Sequence, residues 1–203
     1  MLLDVVILPP WMLRNRLGKK ITRATSNSPC VFVVDNKKLI PHLSLFHIKT
    51  SKNRSDRLSR LIKEIVKEYH PFKIYSQGFK VQFGGKGGGF SLSKSRPLVS
   101  LHEEILNKCY HLRTGVMPWP WSALSKLTKQ KRIYRRKYGT SYILKLFHPH
   151  FTMVLLKNGG DSEKVARKMF KTKFVFLADT IAVCEVNFYH QVTKILKTFK
   201  LHG

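Results

Sequence analysis

Acidic side chains are scarce in this chain. Its 203 residues include 11 Asp and Glu against 38 Lys and Arg, which gives a formal net charge of +27. Such an excess of one sign makes the folded chain repel itself, so a polyanionic partner is expected, with nucleic acid first and an anionic membrane surface second. Selection for solubility would produce the same bulk charge, and the charge therefore indicates a class of partner rather than a site.

Cysteine is also rare, and long apolar runs are missing. Cys30, Cys109 and Cys184 lie far apart and form no Cys-x-x-Cys pair, which leaves a zinc ribbon unsupported and predicts free thiols in a reducing, cytoplasmic compartment. No apolar stretch approaches the length that spans a bilayer, so no membrane insertion is expected. Hydrophobic residues still make up 43% of the chain, which is enough for a globular core.

The N-terminal residues resemble two kinds of targeting segment only superficially. Residues 1–10 (MLLDVVILPP) have no basic start and carry Asp4 inside a short apolar run, so we interpret them as a buried strand rather than a signal peptide. The basic, acid-free residues 11–28 would suit a mitochondrial transit segment. A cationic surface helix that follows a strand is the preferred interpretation.

Hydrophobic periodicity predicts helices interleaved with strands. Apolar residues at i, i+3, i+4 and i+7 predict helices at about 55–69 and 97–113, with a shorter helix at 161–171. The predicted strands lie at about 2–8, 30–35, 39–48 and 147–156. Two more flank the glycine-rich residues 84–89, and two or three strands are predicted near the C-terminus. Because several neighbouring strands suit hairpins, this order predicts an α+β fold with mostly antiparallel sheets.

Two stretches interrupt this pattern. The sequence GGKGGG at 84–89 lacks the Lys-Ser/Thr of a phosphate-binding loop, so we interpret it as a mobile hairpin loop with Lys86 at its tip, in reach of a phosphate. The 114–140 segment is rich in Pro and Trp at first and densely basic afterwards. We predict one domain over residues 1–203 that carries this segment as an insert.

A short phrase occurs twice in the chain, as His42-Leu-Ser44 and as His150-Phe-Thr152. Side chains alternate faces along a strand, so each phrase places an imidazole and a hydroxyl on one face and an apolar anchor on the other. A single copy would be weak evidence, but two copies in strand contexts predict a cleft with two imidazoles and two hydroxyls. Such a cleft suits phosphodiester chemistry without metal, with one imidazole as base, one as acid, and hydroxyls that bind the non-bridging oxygens.

The two phrases resemble the paired His-apolar-Ser/Thr-apolar motifs of the 2H phosphoesterase superfamily, most closely its 2′-5′ RNA ligase and RNA cyclic phosphodiesterase branch. The opening DVVILPP and the stretch RPLVSLHEEIL at 96–106 are also similar to that family, and the likeness covers nearly the whole chain outside the 114–140 segment. The resemblance implies two pseudo-symmetric lobes with helices packed outside and an active-site groove between them.

The resemblance also implies a function. It implies a metal-independent phosphodiesterase that acts on 2′,3′-cyclic phosphate ends or 2′-5′ linkages of RNA, with weak ligase activity in reverse, no cofactor and a monomeric chain. The catalytic residues would be His42, Ser44, His150 and Thr152. In this group an arginine often follows the second motif, but here only Lys157 follows it, and the phosphate clamp has no clear candidate.

Other histidines invite a metal interpretation that the sequence does not support. His42 and His47 differ by five positions, which predicts opposite faces of a regular strand, and no carboxylate or cysteine is adjacent to complete a metal shell. No metal is therefore expected. His148 shares the parity of His150 and is a weak candidate for lining the groove.

The 114–140 segment carries the weak candidates for RNA contact. Trp119 and Trp121 either stack on unpaired bases or pack the segment onto the body, and Arg132, Arg135 and Arg136 are expected to face solvent, where they would bind the backbone. The nearby Tyr134 and Tyr138 are further candidates for stacking on unpaired bases. Two other functions stay open: a catalytically idle RNA-binding module of the same fold, and a 2H enzyme for a small cyclic nucleotide.

Overall fold

The computed structural model describes residues 1–82, 84–118 and 127–202. Its strands and α-helices follow in chain order as β1 (Leu2–Ile7), α1 (Trp11–Ala24), β2 (Cys30–Val33), β3 (Leu43–Lys49), α2 (Lys52–Ile65), β4 (Phe72–Gln82), β5 (Gly87–Leu92), α3 (Arg96–Cys109), α4 (Lys129–Tyr138), β6 (His150–Leu156), α5 (Ser162–Met169), β7 (Val175–Ala178), β8 (Thr180–Val186) and β9 (Val192–Lys200).

The strands form two sheets, one in each lobe. The first sheet has the order β3-β1-β8-β9 and the second has the order β2-β6-β5-β4-β7. The pairings among these strands are antiparallel. Helices α2 and α3 contact each other and the first sheet, whereas α1 and α5 contact each other and the second sheet. The predicted α+β class with two lobes of antiparallel sheet is confirmed.

Alternation along β1 shows how the first sheet acquires two different faces. Leu3, Val5 and Ile7 are buried in the main core that also takes in the helices, while Val6 belongs to a smaller apolar cluster on the opposite face. Asp4 shares the parity of Val6, so its carboxyl group lies on the same face as that smaller cluster. The strand is therefore buried on both sides, and a charged residue sits inside it.

A one-residue bulge interrupts each motif strand at the same place. In β3, Ser44 and Phe46 lie opposite consecutive residues of β1, so Leu45 is the extra residue. In β6, Thr152 and Val154 lie opposite consecutive residues of β5, so Met153 is extra. Both bulges directly follow the hydroxyl residue of a motif, and the likeness between the lobes therefore extends to a backbone irregularity.

The glycine-rich stretch is mostly strand, and the prediction of a mobile loop over 84–89 was wrong in its second half. Residues 84–86 form the turn, but β5 begins at Gly87 and its glycines are buried. A Cβ atom on Gly89 would overlap the carbonyl oxygen of Phe151, and one on Gly88 would overlap the ring of Phe79. These two glycines are present because β6 and an aromatic ring approach the backbone closely.

The helix predictions were right in place and inexact at the ends. Helix α2 starts at Lys52, after Ser51, rather than at 55, and gives way to a 3-10 turn at Val66–Glu68. The basic run in the 114–140 segment forms α4, a helix that periodicity did not predict; Thr128 caps its start and Gly139, at φ 82°, ends it. Among the described residues, no helix combines the length and apolar character needed to cross a membrane.

Candidate active site

His42 stands directly before β3 and is only 5% exposed. Its Nδ1 lies 2.7 Å from the carbonyl oxygen of Ile40, two residues earlier. A carbonyl oxygen can only accept a hydrogen bond, so Nδ1 carries the hydrogen and the neutral ring presents an unprotonated Nε2. The backbone thus fixes both the orientation and the tautomer of this imidazole.

His150 repeats this arrangement at the start of β6. Its Nδ1 lies 2.7 Å from the carbonyl oxygen of His148, again two residues earlier, so its Nε2 is the nitrogen left for chemistry. Thr152 follows on the same strand and is 9% exposed. Both residues lie in the regular part of β6 before the bulge, which puts them on the same face of the strand.

The two motif histidines lie within electrostatic reach of each other. Strands β3 and β6 are in contact across the two sheets. Burial lowers the pKa of His150, the neighbouring imidazoles of His148, His42 and His47 lower it further, and the bond to the His148 carbonyl opposes this. Four imidazoles from both lobes consequently surround one region of the molecule.

A buried carboxylate stands among the imidazoles of the first lobe. Asp4 is fully buried, and its Oδ2 accepts a hydrogen bond of 2.6 Å from the hydroxyl of Ser44. The Nε2 atoms of His47 and His42 lie 3.1 and 3.8 Å from the same oxygen. Burial raises the pKa of the Asp4 carboxyl, but His47, His42 and Ser44 together outweigh burial and hold it below its usual value.

The position of His47 corrects a prediction from the sequence. An odd spacing from His42 predicted that the two rings lie on opposite faces of the strand, and this was wrong, because both contact Asp4. The bulge at Leu45 adds one residue between them and returns His47 to the face of Ser44, whose Oγ lies 3.4 Å from its Nε2. A bulge leaves no clear signal in a single sequence.

The 114–140 segment reaches this face of the first sheet. Met117 is buried in the smaller apolar cluster with Val6 and Cys184. The carbonyl oxygen of Pro118 lies 2.8 Å from Nε2 of His190, whose ring centroid is 4.8 Å from that of His47. Burial lowers the pKa of His190 to about 3. The segment is therefore attached to the histidine cluster through His190.

Lys157 and Lys86 lie far from the motif histidines. Lys157 is exposed just beyond the C-terminal end of β6, and its backbone N–H donates to Pro29. The carbonyl oxygen of Lys86 accepts from the N–H of Leu156, the last residue of β6. His150 is the first residue of that strand, so about 20 Å of extended chain separates it from either lysine.

His148 is exposed, with its ring centroid 6.1 Å from that of His150.

Fewer side chains of the basic helix α4 are exposed to solvent than the sequence suggested. Arg132 and Arg136 are exposed as expected, but Arg135 is half-buried and its Nη2 donates to the carbonyl oxygen of Met117 at 2.8 Å. Tyr134 and Tyr138 are buried in the main core, so the interpretation that they stack on bases was wrong. Trp119 and Trp121 lie outside the described residues.

One cavity of about 520 Å³ opens elsewhere on the surface. Its lining consists of Arg54, Tyr110, His111, Arg113 and Thr114 and includes none of the motif residues. Within residues 1–82, 84–118 and 127–202, no group of three or more His, Cys, Asp or Glu side chains has the arrangement that could hold a metal ion. The chemistry available at the candidate site is that of imidazole, hydroxyl and carboxylate groups.

The solved structures that resemble this chain share one fold. TT0787 of Thermus thermophilus matches with a TM-score of 0.67 and 15% identity, over 100% of this chain and 99% of its own. A protein described as a phosphoesterase matches with a TM-score of 0.58 and 13% identity, over 100% and 99%. Escherichia coli LigT, crystallised with NADP+, matches with 0.56 and 12% identity, over 99% and 97%.

These identities are low, and the likeness therefore concerns the fold. The chain has the fold of TT0787 and LigT over its full length, which confirms at that level the resemblance seen in the motifs. A scan against protein-family models gives no match. A search of curated proteins gives no match either.

Proposed function

We propose that this chain is a 2H-type phosphodiesterase that opens 2′,3′-cyclic phosphate ends or 2′-5′ linkages of RNA without a metal. One observation carries the proposal: His42 directly precedes β3 and His150 is the first residue of β6, and the Nδ1 of each lies 2.7 Å from the carbonyl oxygen two residues earlier. Both therefore offer Nε2, and a hydroxyl residue follows each on the same face. The fold shared with LigT, which has been crystallised with 3′-AMP, supports a nucleotide-sized substrate.

The surroundings of the two imidazoles support different roles. Burial holds the pKa of His42 below its usual value, and the Asp4 carboxylate opposes burial, so the first motif contains a group that stabilises a protonated imidazole. The other titratable groups that act on His150 are imidazoles, which favour its neutral ring. His42 is then suited to be the general acid and His150 the general base.

Hydrolysis of a 2′,3′-cyclic phosphate follows from these roles. His150 takes a proton from water at Nε2 while the water oxygen forms a bond to phosphorus. The bond from phosphorus to one ribose oxygen breaks, and His42 gives its Nε2 proton to that oxygen. The products are a phosphomonoester and a free ribose hydroxyl. In this mechanism Thr152 donates a hydrogen bond to a non-bridging phosphate oxygen, where negative charge gathers.

The test is a panel of 2′,3′-cyclic nucleotides, cyclic-ended RNA and 2′-5′ dinucleotides, incubated with the purified protein in EDTA. Turnover should survive chelation. His42→Gln and His150→Gln should each lower kcat/KM by about 10²–10⁴-fold with an unchanged melting curve. Near-normal turnover in either variant would contradict the two-histidine mechanism. Turnover that EDTA abolishes and zinc or manganese restores would contradict the metal-free mechanism.

A small cyclic nucleotide is the second candidate substrate. The burial of Tyr134 and Tyr138 and the bond from Arg135 to Met117 favour it, because they remove part of the surface on which an RNA strand was expected to lie. The same panel separates the two candidates. A kcat/KM that is at least about tenfold higher for a cyclic-ended oligomer than for the mononucleotide would favour RNA.

A further inference from the structure

The two halves of the site differ at one equivalent position. Because both motif strands carry a bulge directly after the hydroxyl residue, positions in β3 and β6 correspond one to one. His47 lies five residues after His42, and the residue five after His150 is Leu155. Leu155 is buried among apolar side chains of the main core. The first lobe thus has an imidazole where the second lobe has an alkyl group.

His47 is also the closest imidazole partner of the buried carboxylate. Asp4 and His47 lie directly opposite each other on β1 and β3, and Nε2 of His47 is 3.1 Å from Oδ2 of Asp4. A fully buried carboxylate is costly unless a cation and hydrogen-bond donors compensate its charge. The imidazole of His47 lies against this carboxylate, and Ser44 donates a hydrogen bond to it.

The ring of His47 also reaches out of the protein interior. Its side chain is 21% exposed, whereas Asp4 is fully buried beneath it. Its packing against the ring of His190 holds it in place. His47 lies on β3, which contacts β6, and it is among the imidazoles that lower the pKa of His150 in the opposite motif. A phosphate bound between His42 and His150 would therefore lie within the field of a cation at His47.

We propose that His47, seated on Asp4, is the cationic group that binds the phosphate of the substrate in this site. The proposal rests on the proposed function, since it places the phosphate between the two motif histidines. Two other positions supply no cation for this phosphate: the equivalent residue in the second lobe is Leu155, and Lys157 lies at the far end of β6. A charge-assisted hydrogen bond to a phosphate oxygen is the interaction that imidazolium offers.

Three variants test the proposal. His47→Gln keeps an amide donor for Asp4 but removes the cation, and His47→Arg keeps a cation. The control is His70→Gln, the same loss of imidazole at an exposed residue in the loop before β4. For inorganic phosphate and a nucleoside 3′-monophosphate, calorimetry should show affinity lowered about 10- to 100-fold by His47→Gln. It should be largely retained by His47→Arg and unchanged by His70→Gln.

A measurement on the unaltered protein guards against misfolded variants. Titration with inorganic phosphate should shift the imidazole signals of His47 in a long-range ¹H–¹⁵N spectrum, and absence of a shift would overturn the proposal. Normal phosphate affinity and a normal KM in His47→Gln would overturn it as well, while leaving the proposed function standing. A protein that binds phosphate through His47 yet turns over none of the cyclic or 2′-5′ substrates would refute the proposed function alone.

Discussion

The two motif hydroxyls have different surroundings, although their positions in the motifs are equivalent. Ser44 donates its proton to Asp4 at 2.6 Å and helps to keep the buried carboxylate ionised. Thr152 lies opposite Gly89 of β5 rather than near a carboxylate on the neighbouring strand, and we expect its hydroxyl to donate to a phosphate oxygen. The equivalence that the sequence suggests therefore ends at the side-chain partners.

Substitution of the two hydroxyls should separate these tasks. Thr152→Val should lower kcat about tenfold or more with little change in stability, because it removes one donor to a charged oxygen. Ser44→Ala should lower the free energy of unfolding by about 1–3 kcal/mol, because Asp4 loses a donor inside the protein. Urea unfolding and steady-state kinetics on both variants give the comparison, and equal effects on both measurements would contradict it.

The pH dependence of turnover should reflect the lowered pKa values of both motif histidines. Burial is the main cause at His42 and at His150. In the proposed mechanism the rate needs His42 protonated and His150 neutral, so kcat/KM should follow a bell whose optimum lies on the acid side of about 6.5, the ordinary pKa of imidazole. It falls at higher pH as His42 loses its proton. A kcat/KM for a cyclic mononucleotide that still rises above about pH 7 would contradict this assignment.

Sequence reasoning reached the motif residues and missed their partners. His42, Ser44, His150 and Thr152 stand out because a pattern recurs. Asp4 was visible only as an odd charge in an apolar strand, and its role depends on the register of β1 against β3. The register contains a bulge, and period-two counting fails across a bulge.

Helix α3 connects β3 to the segment just before β6 through one side chain. His102 is fully buried; its Nδ1 lies 2.7 Å from the carbonyl oxygen of Leu45, the bulge residue of β3. Its Nε2 accepts the N–H of Leu144 at 3.0 Å, and its ring stacks on Phe147 at 4.0 Å, just before the second motif. Both ring nitrogens are engaged only in the neutral ring, and burial lowers the pKa of His102 to about 4.

Acid should therefore weaken the fold through His102. In the unfolded chain His102 binds a proton below its ordinary pKa of 6.5, whereas in the folded chain it does so only near pH 4. The contribution of His102 to the free energy of unfolding is therefore fully present above pH 6.5 and is lost as the pH falls to about 4. The shift corresponds to about 3 kcal/mol. His102→Gln, which keeps a donor and an acceptor but does not titrate, should show a smaller loss in urea unfolding over this range. Equal pH slopes would contradict the assignment.

The bulge of β6 depends on a glycine in its neighbour. Gly89→Ala should destabilise the protein by about 1–3 kcal/mol or more, because its Cβ would overlap backbone at Phe151 and cannot be relieved by a rotamer change. Gly160→Ala is the control, since a Cβ there meets nothing within 4 Å. Thermal unfolding of both variants tests this, and a Gly89→Ala protein as stable as Gly160→Ala would show that the strands do not approach so closely.

Helix α4 shows where periodicity is too weak to predict an element. Its buried side consists of Tyr134 and Tyr138, spaced i and i+4, within ten residues that are otherwise largely basic or polar. Two aromatic residues in a cationic run also suit a binding surface. Burial against the core decides between the two, and this depends on tertiary contacts that the sequence does not display.

At the level of the whole molecule, the order of elements and the repeated motif were sufficient for the fold. Interleaved helices and hairpins predict an α+β fold with mostly antiparallel sheets, and the resemblance of the motifs to the 2H family implies the two lobes. The solved structures share that fold at 12–15% identity. The charge of +27 predicts a partner class but not its place. Exposed cations occur on several elements, including α2, α4 and β9, so the charge alone selects none of them.

Helix α4 allows a test of which exposed cations hold an RNA strand. Arg132 and Arg136 are exposed on it, and Arg135 is left unchanged because it is half-buried and bonded to Met117. If α4 lies along the RNA backbone, Arg132→Gln/Arg136→Gln should weaken oligomer binding. The log–log salt slope of that binding should become shallower by about 1.4, since each phosphate contact on a single strand contributes about 0.7. Turnover of a cyclic mononucleotide should change little.

Lys194→Gln/Lys197→Gln provides the control, because it removes the same charge from exposed positions on β9. Binding of a labelled oligomer is measured at several salt concentrations for the wild type and both double variants, beside mononucleotide kinetics. If α4 is the contact, only the arginine pair changes the slope. Equal changes in both variants would assign the effect to net charge, an unchanged slope would assign the arginines to solubility, and equal losses on oligomer and mononucleotide would place them in the active site or in folding.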